Sequence, residues 1–132
     1  MLVGSKVSKI INKVSDFCKS NNIFFSVHFT TNGTMLPKIV LESIKNITTN
    51  FQITIDGSKE QHNKVRGSKS FDSYERIWQH IHTLNESLKD CYFSLRINYD
   101  SETFKDMKGI INDILGLHIN NDKVVISLKK VW

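Results

Sequence analysis

Along residues 6–22, KVSKIINKVSDFCKSNN, apolar side chains fall at Val7, Ile10, Ile11, Val14, Phe17 and Cys18. That spacing puts them on one face of a helix, and Asn21 with Asn22 marks its stop. Ile23 to about Phe29 reads as a strand. Pro37 then opens a second helix, striped by Leu36, Ile39, Val40, Ile44 and Ile47. A second strand covers Phe51 to Ile55, and after it runs DGSKEQHNKVRGSKS, a polar stretch long for a simple connection and of a length that often carries function. A third helix begins near Asp72, with Glu75 as its capping-box partner and Phe71, Tyr74, Ile77, Trp78, Ile81, Leu84 and Leu88 as its buried face. Tyr92 to Tyr99 forms a third strand. Phe104, Met107, Ile110, Ile111, Ile114 and Leu115 stripe a fourth helix, and Val124 to Leu128 forms a fourth strand. Helix and strand alternate with no repeat and no linker. Residues 1–132 are therefore expected to form one α/β domain around a parallel sheet with right-handed crossovers.

At period two, the strands separate into an apolar and a polar face. Phe25, Val27 and Phe29 oppose Ser26, His28, Thr30 and Asn32; Phe51, Ile53 and Ile55 oppose Gln52, Thr54 and Asp56. Phe93, Leu95 and Ile97 oppose Ser94, Arg96 and Asn98, and Val124, Ile126 and Leu128 oppose Val125, Ser127 and Lys129. Strands of parallel sheets usually read as unbroken apolar runs, because helices cover both faces. Here helices are expected on one face only. The pattern fits a segment of a (β/α) barrel with a polar interior, or an open sheet with one face bare. In α/β folds, ligands sit outside the carboxyl ends of the strands. TTNG and TIDG are two such ends, each placing polar side chains at the rim before a glycine. Asn-Gly and Asp-Gly are also ordinary turn formers, so either motif alone reads as a turn; the pair over a polar sheet face points to a site.

Composition narrows the functions. With 39% hydrophobic residues, six glycines and one proline, the chain can bury a core without staples. No apolar run approaches the ~20 residues that span a bilayer, and the opening MLVGSKVSK lacks the apolar stretch of a signal peptide. No membrane association and a cytoplasmic location are the expectation. The formal net charge is +5, but its lysines and arginines are scattered and no basic strand is interleaved with aromatics. Nucleic acid is not an expected partner. Cys18 and Cys91 stand alone, with no CxxC or Cys/His pair for zinc, so no metal ligand is assigned and both read as small buried hydrophobes.

TTNGTML, then QITIDGSKEQHNKVRG, then SFDSYERIWQHIHTL resembles the middle of a radical S-adenosylmethionine (AdoMet) enzyme of the SPASM type. These are protein and peptide maturases that include the anaerobic sulfatase-maturating enzymes. Their pattern runs roughly Thr-Asn-Gly-Thr-Leu-Leu, then Ser-Leu-Asp-Gly-Pro-x-x-x-His-Asp-x-x-Arg. Thr54 stands here for the serine, Ser58 for the proline and Asn63 for the aspartate. The resemblance covers about residues 5–100. It implies a partial parallel (β/α) barrel (the TIM-barrel relative of this family) with AdoMet bound across the strand ends. It implies Thr30 and Asn32 near the ribose or methionine part of AdoMet, and Thr54 and Asp56 lining the same pocket. Arg66 is then the partner of the cofactor's carboxylate, since a guanidinium fork fits a carboxylate. His62 is expected to order the loop, and Arg96 and Asn98 to face adenine or substrate.

The family's iron–sulfur cluster, a [4Fe-4S] centre, is held by Cys-x-x-x-Cys-x-x-Cys, and a Gly-Gly-Glu-Pro-like motif holds the methionine amine. Neither motif occurs here, nor does the cysteine-rich region that follows in the family. Cluster ligands must lie close together, and this chain offers only Cys18 and Cys91. The expectation is therefore a central fragment of a maturase whose complete form modifies a peptide or protein side chain by radical hydrogen abstraction. Alone it is expected to be inactive, unable to bind the cluster, and prone to self-association. The alternative is a clusterless α/β binding module that holds a nucleotide or protein partner on its polar sheet face.

Overall fold

The computed structural model describes residues 2–67 and 71–131. Among them, five α-helices and four strands follow one another, with α3 and α4 consecutive: α1 (Leu2–Ser20), β1 (Ser26–Thr31), α2 (Lys38–Ile44), β2 (Thr48–Asp56), α3 (Lys59–Arg66), α4 (Ser73–Ser87), β3 (Cys91–Tyr99), α5 (Met107–Gly116) and β4 (Val124–Lys130). The four strands form one sheet in sequence order, every neighbouring pair parallel. This is the α/β fold expected, in keeping with a segment of a partial parallel barrel. Among the described residues, no helix is long and apolar enough to cross a membrane.

One face of the sheet makes the core. Phe51, Ile53, Ile55, Phe93 and Leu95 pack against Ile11, Val40, Ile44, Ile77, Ile81 and Leu84 from the helices. Each such fully buried side chain contributes about 1.5–3 kcal/mol relative to exposure. Phe29, Phe51 and Phe93 lie opposite one another in register and stack, with ring centroids 5.1 and 6.2 Å apart. The other face carries Thr54, Arg96 and Ser127 in one cross-strand row, and Asp56, Asn98 and Lys129 in the next. Thr30 pairs with Gln52 on the same face.

Local chemistry sets the element ends. Asn22 takes a left-handed φ of 54°, and the Ile23 N–H donates to the Cys18 carbonyl, which closes α1. The chain therefore spends residues 23–25 leaving the helix, and β1 starts three residues later than the predicted Ile23. Asp72 caps α4 by accepting the Glu75 N–H at 2.8 Å, as its sequence predicts. The polar stretch after Asp56 is not simply a loop: residues 59–66 form α3. Its only buried residue is His62, so it has no apolar stripe to betray it. Residues 68–70 of that stretch lie outside the described residues.

Not every predicted stripe is covered. On α1, Ile11 and Cys18 are buried along with Ser8 and Ser15, while Ile10 and Phe17 are each 63% exposed. The Ser8 and Ser43 hydroxyls share a 2.5 Å hydrogen bond between α1 and α2, so small polar residues set that interface. At the other end Ile111, Leu115, Ile126 and Leu128 are all exposed, Leu115 at 69%. Exposed apolar side chains thus gather on the first helix–strand unit and on the last, beside the two strands with an unpaired edge. Such edges and patches attract partners. The chain on its own is expected to self-associate at these ends, and Phe17→Lys with Leu115→Lys should weaken association without unfolding it. Light scattering across protein concentration tests this; a monomer at high concentration counts against it.

Candidate functional site

All strands are parallel, so their carboxyl ends form one rim where β1 runs into Asn32–Gly33 and β2 into Gly57. Gly33 (φ 74°) lies so close to the core that an added Cβ would meet Ile53 Cγ2 at 3.0 Å and Ile77 Cγ1 at 3.2 Å. The Asn32 Oδ1 accepts the Thr34 N–H at 3.2 Å and its hydroxyl at 2.9 Å. Here the side chain makes the turn itself. Gly57 (φ 73°) packs on Thr103, and its N–H donates to the Asn98 carbonyl at 3.1 Å.

The second rim segment is built differently, because its carboxylate points into a network. Asp56 Oδ2 accepts a short hydrogen bond from Arg66 Nε, and Asp56 Oδ1 accepts from Asn98 Nδ2 at 2.6 Å. Arg96 Nε donates to Asn98 Oδ1 at 3.3 Å. An unbroken path therefore runs Arg66–Asp56–Asn98–Arg96 across α3, β2 and β3. Asp56 is only 14% exposed and Arg66 35%, so this pair is less screened than a surface salt bridge. Two guanidinium groups and one carboxylate leave the cluster net positive, with Lys129 opposite Asn98 on β4. The arrangement suits an anionic group.

The fold thus brings together Asp56, Arg66 and Arg96, with Thr54 directly opposite Arg96 in register. Thr30 and Asn32 belong to the β1 end and share no hydrogen bond with the cluster. Arg66, expected to meet a cofactor carboxylate, meets the Asp56 carboxylate. Asn98, expected to face adenine or substrate, proves to be the bridge between Asp56 and Arg96. A cavity of 160 Å³ beside it is lined by Asp56, Gln61, Asn98, Asp100 and Thr103, among others. A larger groove of 270 Å³ lies between α1 and α2, lined by Asn12, Asp16, Lys19 and Glu42. It holds no buried charged group and lies among the helices rather than at the rim.

His62 and Asn63 fix α3 in place. His62 is 0% exposed, and its Nδ1 accepts the Asp56 backbone N–H at 3.1 Å. Asn63 Oδ1 accepts from the Ser73 hydroxyl and the Tyr74 N–H, both at 3.1 Å, while its Nδ2 donates to Asp72 at 2.9 Å. Asp72 also faces Lys59 at 3.1 Å. The Glu75 N–H, then Asn63 and Lys59, hold the Asp72 carboxyl down to about 2.

Among the described residues, no group of three His, Cys, Asp or Glu side chains is placed to hold a metal ion. Cys18 and Cys91 are both buried, one on α1 and one at the amino end of β3, opposite the rim. Burial pushes the Cys91 thiol up to about 12.

No family model matches the chain, and no curated protein matches it. A solved structure described as "Native anSMEcpe with bound AdoMet and Cp18Cys peptide" is similar in fold, with a TM-score of 0.62 and 16% identity. The similarity covers 92% of this chain and 33% of that one, so the chain spans about a third of its fold neighbour's length. At that identity the likeness establishes a shared fold.

Asn63 uses both halves of its amide, the oxygen toward Ser73 and Tyr74 and the nitrogen toward Asp72. An aspartate there would keep the acceptor but lose the donor, and would set two carboxylates at hydrogen-bond distance. Asn63→Asp should therefore destabilise the protein by about 1–2 kcal/mol near pH 7. The deficit should shrink below about pH 4 as one carboxyl takes a proton. Urea unfolding at both pH values measures it; an unchanged midpoint would contradict the proposed contact.

Proposed function

We propose that this chain is the central βα portion of a radical AdoMet maturase, and that its polar sheet face forms part of an AdoMet pocket. The observation that carries the reading is the Arg66–Asp56–Asn98–Arg96 path at the strand ends. It lies in a fold shared with a radical AdoMet sulfatase maturase whose structure holds AdoMet and a peptide. In complete form such an enzyme would abstract hydrogen from a peptide or protein side chain.

The residues present fit part of that cofactor. Asp56 engages Arg66 through Nε, which leaves the two terminal nitrogens for the carboxylate of the methionine moiety. Thr54 and Asn98 supply hydrogen-bonding groups beside it, and Arg96 adds a second positive charge. Thr30 and Asn32, on β1, would reach the ribose or methionine side. Bound AdoMet supplies a sulfonium that yields a radical when reduced. This chain's own contribution is to bind and orient: Asp56 holds Arg66, and Asn98 ties Asp56 to β3.

The iron–sulfur cluster does not fit. Two buried thiols on different elements, away from the rim, cannot converge on an iron. No reductive step is assigned to these residues. The same fact favours a second reading, a clusterless module that binds an anionic ligand or protein partner on the polar face.

Binding separates the readings. AdoMet titrated into the protein should bind no tighter than about millimolar, roughly 4 kcal/mol, and Arg66→Ala should remove the heat. Binding indifferent to Arg66→Ala would overturn the residue assignment. Given iron, sulfide and a strong reductant without oxygen, the chain alone should release no 5′-deoxyadenosine; its appearance would refute the account of the cysteines.

A further inference from the structure

His62 stands apart from the other histidines because it is buried completely and bonded to the main chain of the very residue on which the rim network turns. Its Nδ1 accepts the Asp56 N–H at 3.1 Å, so Nδ1 carries no proton. A neutral imidazole then holds its proton on Nε2. That Nε2 has no hydrogen-bond partner among the described residues. The ring instead meets Tyr74 edge to face, with centroids 5.7 Å apart at 67°.

The bond lies at a sensitive place. Asp56 is the last residue of β2, and Gly57 follows with a φ of 73°. The Gly57 N–H turns to the Asn98 carbonyl of β3 and the pairing of β1 ends opposite Ile53, so the Asp56 N–H turns to the imidazole. The acceptor sits one turn before Arg66 on the same helix, so one short element holds the main chain of Asp56 with His62 and its carboxylate with Arg66. Fixing both ends of Asp56 sets where its second oxygen meets Asn98.

We propose that His62 is the positioning residue of the Asp56–Arg66 pair, acting only as the neutral imidazole protonated on Nε2. A second proton would remove the acceptor, set two donors face to face and release the turn. The surroundings oppose that proton. Burial pushes the imidazole below its ordinary value of 6.5, and Arg66 on α3 adds to this. Asp56 on β2 and Asp72 before α4 pull the other way without prevailing. From α4, Tyr74 sets its ring edge against the imidazole, and its hydroxyl donates to Asp113 of α5 at 2.6 Å. The sign follows: the unfolded chain binds the proton more readily, so stability rises with pH through the window below 6.5 and is complete above it.

The inference concerns the pair itself and stands whether or not AdoMet is the ligand. Proton–nitrogen correlation spectra of the intact protein should show His62 protonated on Nε2 at neutral pH, titrating below 6.5. The Arg66 Nε–H signal should be protected from exchange above that midpoint and broaden as His62 takes its proton. His62→Asn, whose Oδ1 can stand in for Nδ1, should keep the Arg66 signal protected down through the same titration. His62→Phe, with no acceptor, should lose it at every pH while circular dichroism stays native. A proton on Nδ1 in the unaltered protein would overturn the proposal, as would an Arg66 signal that ignores the His62 titration. The spectra of the unaltered protein decide the matter even if a variant fails to fold.

Discussion

The register of the central strands is the constraint on which everything else rests. Side chains alternate along a strand, so a slip of one residue would carry every polar group to the helix side and every apolar one to the open side. The Phe29, Phe51 and Phe93 stack fixes that register across three strands, each aromatic pair adding about 0.5–1.5 kcal/mol beyond its burial. With the rings opposed, Thr54 must face Arg96, and Asp56 must face Asn98. The network at the rim is therefore a consequence of packing on the opposite side of the sheet.

α3 is held on other terms. It buries one residue, and its attachments are polar: His62 to the β2 main chain, Asn63 to the start of α4, Arg66 to Asp56 and Lys59 to Asp72. Hydrogen bonds of this kind contribute about 0.5–1.5 kcal/mol net, more where a charge takes part. The helix that carries the candidate arginine thus answers to proton and salt concentration, whereas the core helices answer to apolar burial. The candidate arginine and this sensitivity sit on the same eight residues.

Much of the fold was legible because burial writes a period into sequence. The alternation of Phe51 to Ile55 and of Tyr92 to Tyr99 announced both the strands and their one-sided cover. Asp72 with Glu75 announced a helix start. α3 was illegible for the same reason: a helix docked by polar bonds leaves no stripe of apolar residues. On α1 and α5 the sequence showed a one-sided apolar stripe, yet Ile10, Phe17, Ile111 and Leu115 are exposed. Periodicity shows which side of a helix is apolar, and only neighbouring elements decide whether that side is covered. At the site, the resemblance to radical AdoMet enzymes pointed to Asp56 and Arg66 but could not show them bonded to each other. That contact depends on the turn geometry at Gly57, which a one-dimensional pattern does not record.

The path from Arg66 to Arg96 lies entirely within β2, α3 and β3. None of its hydrogen bonds calls on β1, α5 or β4. β1 still bears on it through the Phe29 ring stacked on Phe51, so a change there reaches the charged centre by way of strand register. The rim network is local in its hydrogen bonds and held in place by the packing of its neighbours.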